Sequence, residues 1–166
     1  LYNIEGRTAR NIETDTVVRL ARDCKNIIGV KEASGNLQQI KDVRRACGDK
    51  FIIFSGDDAL TLPVLEIGGV GVISVVANII PKDVAALITA FNSGNKSKAS
   101  EINDKMIPLI KAMFIETNPI PLKKAMELLG MCSGELRLPL CEMEEANIGK
   151  LKIALHNYGL LKGQLV

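Results

Sequence analysis

The stretch "NIIGVKEASGN", residues 26–36, ends an apolar run on a lysine, Lys31, just ahead of a glutamate and a turn. A lysine held at the end of a buried strand loses hydration, which disfavours its charged form and makes the neutral amine available. A neutral amine attacks a ketone or aldehyde and forms a Schiff base. The resulting iminium draws electrons from the adjacent carbon, which sheds a proton and then forms a new carbon–carbon bond. Such chemistry needs a proton shuttle and a cation to orient a substrate carboxylate. The stretch "LYNIEGRT" supplies both types: Tyr2 has a hydroxyl that can relay protons, and Arg7 a planar fork that can clamp a carboxylate. The competing reading is a solvated surface lysine paired with the neighbouring Glu32.

The elements that must position these residues repeat. Four times a short apolar run is followed by a turn and a helical pattern. "LYNI" precedes a helix with Thr14 as its N-cap, and "NIIGVK" precedes one capped by Asn36, with Leu37, Ile40 and Val43 inward. "FIIFSG" leads to Asp57 and Asp58 as helix-opening residues. "VGVISV" leads to Pro81 and a helix closed by Gly94. Alternating strands and helices predict an α/β fold with a parallel sheet, and strands apolar nearly throughout predict that both faces are covered. Beyond residue 95 three amphipathic helices follow, around "EINDKMIPLIKAMF", "IPLKKAMELLG" and "EEANIGKLKIALHNYG".

Four βα units are half of a TIM (β/α)8 barrel, whose whole takes about 250 residues. Residues 1–94 therefore read as the C-terminal half of such a barrel, and 95–166 as a three-helix C-terminal region. A flavodoxin-like sheet carries the same pattern. No strand is followed by G-x-G-x-x-G, so the dinucleotide-binding reading lacks its main support. The chain opens on Leu1, as if a strand were already under way, and reads as a piece of a longer protein.

Composition removes other classes. Of 166 residues 47% are apolar and 24% charged, with a net charge of +2 from 21 basic and 19 acidic side chains, and only 4% are aromatic. That gives no case for nucleic acid. No apolar run reaches the roughly 18 residues of a membrane span. Cys24, Cys47, Cys132 and Cys141 form no C-x-x-C pair, and the one histidine, His156, is not at ligand spacing to them, so no metal site is expected. The cysteines read as reduced packing thiols of an intracellular, cytoplasmic protein. His156 reads as a surface or interface residue, and Asn118 as a turn or cap.

"YNIEGRT", "IIGVKEASGN", "SGDDALTLPVLEIGGVGVISVVAN" and "NPIPLKKAMELLG…LRLPL" resemble, in order and spacing, landmarks of the dihydrodipicolinate synthase family. That family lies in the class I aldolase group with N-acetylneuraminate lyase. The "GVKEASGN" run belongs to the wider group, while the arginine of "GRT" and the "NPIP" segment favour the synthase. The resemblance implies a cofactor-free lyase of lysine biosynthesis, condensing pyruvate with aspartate semialdehyde. It implies that Lys31 carries the pyruvate Schiff base, Tyr2 relays protons and Arg7 holds the semialdehyde carboxylate. Gly56 and Ile73 would line the pyruvate pocket. It also implies a homo-oligomer.

Two departures from the family are visible. Glu5 stands where the family has proline, two residues from Arg7. The family's first half is absent, and with it four strands, a carboxylate-binding threonine pair, a tyrosine from a neighbouring subunit and the lysine feedback site. The chain alone is therefore expected to be inactive, pairing with its missing N-terminal half-barrel or with a copy of itself. The alternatives are a sibling pyruvate aldolase such as N-acetylneuraminate lyase, a phosphate-binding barrel using the glycines of "GGVGVISV", and a noncatalytic half-barrel assembly module.

Overall fold

Four short strands pair in parallel and in chain order: β1 (Tyr2–Asn3), β2 (Gly29–Glu32), β3 (Ile52–Ser55) and β4 (Gly71–Val72). They belong to a computed structural model that describes residues 1–162. The chain forms two compact units, Leu1–Ser74 and a second from Val75 onward.

In the first unit, α2 (Thr14–Asp23), α3 (Leu37–Cys47) and α4 (Thr61–Glu66) separate the strands. Asn36 caps α3 as expected: its side chain accepts from the Gln39 N–H at 3.0 Å. Asp57 Oδ1 likewise accepts from the Ala59 N–H at 2.8 Å, opening the 3-10 turn that leads into α4. Thr14 is the first helical residue of α2, and the extended Glu13 takes the cap position without a side-chain bond. A short helix, α1 (Glu5–Thr8), lies between β1 and α2. It has no counterpart in the sequence reading, because a single turn is too short to show periodicity.

Burial alternates along the strands. Val30, Glu32, Ile53 and Ser55 are buried, whereas Gly29, Lys31, Ile52 and Phe54 are only partly so. One face packs against helices in a core of Val17, Val30, Ile40, Val43, Phe51, Ile53 and Val64. The expected covering of both faces is thus met on one side only within this unit. The register sets two rows across the sheet. Tyr2, Lys31, Phe54 and Gly71 form one row, and Asn3, Glu32, Ser55 and Val72 the other. Because successive strand residues point to opposite faces, the rows face opposite ways.

The second unit holds α5 (Pro81–Asn92), α6 (Lys96–Ala112), α7 (Ile120–Leu128) and α8 (Glu145–Tyr158). The last three are the C-terminal helices expected from the sequence. The stripe on α6 buries Met106, Leu109 and Ile110, with Met113 at its end. Gly159 closes α8 at φ +88°, the left-handed cap that favours glycine. Glu116 anchors the start of α8, accepting from the Glu144 N–H at 3.0 Å and Asn147 Nδ2 at 2.9 Å.

Two of the supposed packing thiols are exposed. Cys132 and Cys141 lie in the irregular segment between α7 and α8, which offers no regular face to bury them, whereas Cys24 and Cys47 are half-buried. His156 is exposed, as expected. Among the described residues no helix is long and apolar enough to cross a membrane.

Candidate active site

Lys31 is the third residue of β2, and parallel pairing brings Tyr2 of β1 directly opposite it. The Lys31 Nζ lies 3.9 Å from the centre of the Tyr2 ring. That distance is within cation–π range, an attraction of about 0.5–1 kcal/mol where solvent reaches the pair. Tyr2 is 49% exposed, so this is the open side of the sheet.

Gly56 follows β3, and its N–H donates to the Glu32 carbonyl at 2.6 Å. A Cβ at Gly56 would lie 2.5 Å from the Ala33 Cβ and 3.1 Å from the Lys31 Cε. The absent side chain therefore leaves the channel through which the lysine stem passes. Ile73 continues the ladder beyond β4, its N–H donating to the Ser55 carbonyl at 2.9 Å. Strand alternation gives Ile73 the same face as Gly71 and Lys31, and its side chain is 50% exposed. Lys31, Tyr2 and Gly56 thus converge, with Ile73 at the far strand of the same face. Arg7 sits on the exposed helix α1, five positions along from Tyr2, beside Glu5 on the same turn.

Glu32 does not serve Lys31. Its side chain points to the opposite face and is 2% exposed. There it accepts from Asn3 Nδ2 at 3.0 and 3.1 Å, from the Ser34 N–H at 2.9 Å and from Gln39 Nε2 at 3.4 Å. Asn3, 0% exposed, accepts in turn from the Ile12 N–H at 2.9 Å and donates to Asn11 Oδ1 at 2.8 Å. This polar cluster was missed by the sequence reading. The signal for it was present: polar residues stand at matching positions, Asn3 and Glu32, in strands otherwise read as apolar.

The glycines Gly68 and Gly69 spend their amides on α4, donating to the Leu65 and Val64 carbonyls at 2.9 and 2.8 Å. Both therefore end a helix and are not poised to cradle a phosphate. Among the described residues no group of three or more His, Cys, Asp or Glu side chains could hold a metal ion.

The arrangement is an amine at a strand's end, stacked on a phenol, with its stem laid against a glycine. It offers a nucleophile with an ionisable hydroxyl beside it, the equipment of Schiff-base chemistry. Comparison with known proteins gives the family. The profile of the Dihydrodipicolinate synthetase family matches residues 1–158. A 4-hydroxy-tetrahydrodipicolinate synthase of Endomicrobium trichonymphae is 58% identical over 162 residues, covering 98% of this chain and 55% of the relative. One from Syntrophus aciditrophicus is 53% identical over 160 residues, covering 96% of this chain and 55% of the relative. The crystal structure of dihydrodipicolinate synthase from Aquifex aeolicus superposes with a TM-score of 0.93 at 45% identity, covering 96% of this chain and 54% of that one. The chain thus spans about half the length of the curated relatives it matches. Its architecture is the C-terminal half of an α/β barrel followed by C-terminal helices.

Proposed function

Since this chain belongs to the dihydrodipicolinate synthetase family, we propose that it supplies the Schiff-base half of a lyase that condenses pyruvate with aspartate semialdehyde in lysine biosynthesis. The observation that carries this reading is the Lys31 amine held 3.9 Å over the Tyr2 ring at the end of a parallel strand.

Lys31 Nζ adds to the ketone carbon of pyruvate, and loss of water leaves an iminium. The iminium accepts the electron pair released when a methyl proton departs, giving an enamine. The enamine carbon attacks the aldehyde of the second substrate, and a proton must reach the new alkoxide. Tyr2 is the group beside Lys31 that can take and return these protons. Arg7 holds the semialdehyde carboxylate with its fork of donors. Gly56 and Ile73 border the pyruvate through backbone groups and leave room for its small methyl. No step calls on a metal or an organic cofactor.

A sheet of four strands leaves the outer edges of β1 and β4 open. The isolated chain is therefore inactive, and the reaction runs once four further strands, the N-terminal half-barrel or a second copy, complete the barrel. The assembled enzyme is a homo-oligomer. Its place is the cytoplasm, where thiols such as Cys132 and Cys141 stay reduced.

The test is borohydride trapping with pyruvate, read by intact mass and peptide mapping, with Lys31→Ala as control. An adduct of pyruvate size on Lys31, lost in the variant, is the expected result. No adduct, with or without the N-terminal half, would sink the assignment. Turnover of sialic acid without consumption of aspartate semialdehyde would replace the substrate.

A further inference from the structure

Glu32 is an ionisable group in an unusual setting: a side chain 2% exposed whose hydrogen-bond partners are neutral donors. Burying a carboxylate is costly, and well-aligned donors are what make it tolerable. The donors here come from three separate pieces of chain. Asn3 belongs to β1, Ser34 to the loop after β2, and Gln39 to α3. Through Asn3 Oδ1 the cluster also holds the Ile12 N–H at 2.9 Å, where the segment bearing Arg7 returns to the sheet.

Asn3 and Glu32 are register partners, one step along from the partners Tyr2 and Lys31. β1 is only two residues long, and the bonds at its two ends are Leu1 N–H to Gly29 O at 2.9 Å, Lys31 N–H to Leu1 O at 2.9 Å and Ala33 N–H to Asn3 O at 2.8 Å. So short a strand specifies its own register weakly. Slippage by one residue would turn Tyr2 to the wrong face. The Asn3–Glu32 contact opposes that slip, because only the observed register sets the amide against the carboxylate.

We infer that Glu32 is a positioning residue for the reaction: acting through Asn3 from the far side of the sheet, its carboxylate keeps Tyr2 stacked on Lys31 and pins both ends of the Arg7 segment. This rests on the Schiff-base role of Lys31 and adds the device that holds the pair in place. The polarity of the cluster makes it specific. Asn3 Nδ2, Ser34 N–H and Gln39 Nε2 all donate, so position 32 must accept on both oxygens. An isosteric glutamine there would present its own amide hydrogens to a donor.

The experiment compares pyruvate trapping and amide hydrogen exchange in the wild-type protein, in Glu32→Gln, and in the double variant Asn3→Asp/Glu32→Gln. The double variant moves the carboxylate to position 3 and the amide to position 32, restoring a donor–acceptor pair at unchanged net charge. The Asn11 and Gln39 amides can turn over to suit it. Glu32→Gln is expected to slow trapping by about tenfold or more, as a misplaced catalytic pair does, and to speed exchange at Ala33. The double variant is expected to recover most of the rate and the protection.

A folded Glu32→Gln that traps at the wild-type rate overturns the inference, as does slowed trapping with Ala33 protection unchanged. If Glu32→Gln does not fold, the double variant decides. Near wild-type trapping supports the inference, and failure to trap or to fold overturns it. Absence of an adduct in the wild type, with or without the N-terminal half, strikes the Schiff-base reading alone. Exchange at Ala33 in Glu32→Gln then judges the clamp by itself: faster exchange supports it, unchanged exchange overturns it.

Discussion

The Lys31 Nζ rests on the face of the Tyr2 ring, 3.9 Å from its centre, and not at the phenol oxygen. Ring and hydroxyl therefore do separable work. Tyr2→Phe keeps the stack and removes the proton relay, so adduct formation with pyruvate should persist. Turnover should fall by about 10²–10⁴-fold, the usual worth of a positioned acid–base group. Tyr2→Ala removes both and should slow adduct formation as well. Trapping kinetics beside steady-state turnover separate the two, and equal effects of both variants on trapping would contradict this division.

Gly56 is fixed by what its missing side chain spares. An added methyl would stand 2.5 Å from the Ala33 Cβ and 3.1 Å from the Lys31 Cε. Ala33 has no rotamer with which to withdraw, and the Gly56 N–H is already bonded to the Glu32 carbonyl at 2.6 Å. Gly56→Ala should therefore cost about 1–3 kcal/mol, as overpacking does, and displace the lysine stem. Denaturant melts and trapping rates on one preparation check both. An unchanged rate would mean that the stem does not depend on this gap.

Lys31 stood out in the sequence because it closes an apolar run, and strand ends are where βα units present side chains. Asn36 and Asp57 were legible as caps for a local reason, since each bonds to an amide two or three residues ahead. The competing reading, which paired Lys31 with Glu32, fails on geometry. Adjacency in sequence suggests contact, but a pleated strand sends neighbours to opposite faces. The pairing of Asn3 with Glu32 spans 29 positions, so only the register reveals it. The segment between α7 and α8 was not readable from its composition. In "LRLPL" Leu138 is 92% exposed, because an irregular backbone gives apolar residues no common face.

That same segment sets the order of thiol reactivity. Cys132 and Cys141 are exposed, whereas Cys24 and Cys47 are half-buried, and burial pushes the Cys47 thiol up, against the opposing pull of Arg44. Under native conditions a disulfide reagent should modify Cys132 and Cys141 first and Cys47 far more slowly, since the thiolate is the reacting form. Peptide mapping after timed quenching reads the order. Modification of Cys47 in the first phase would contradict it.

Tyr158, near the end of α8, donates its hydroxyl to Asp83 Oδ2 of α5 at 2.6 Å, while Lys105 Nζ lies 4.7 Å from its ring centre. Burial first, then the hydrogen bond to Asp83 and the charge of that carboxylate, raise the phenol well above its ordinary value. In the unfolded chain the phenol titrates near 10. Below that pH both states keep the proton and the latch contributes in full. As pH rises past about 10 the unfolded chain gives up its proton while the folded one retains it, so stability must fall. Tyr158→Phe removes the donor but leaves the ring packing. It should cost about 1 kcal/mol at neutral pH, the typical net worth of a hydrogen bond. The gap between wild type and variant should then shrink as pH climbs above 10. Urea melts of the pair at pH 7 and at pH 10.5 measure it, and a gap that stays constant would show that the phenol titrates alike in both states.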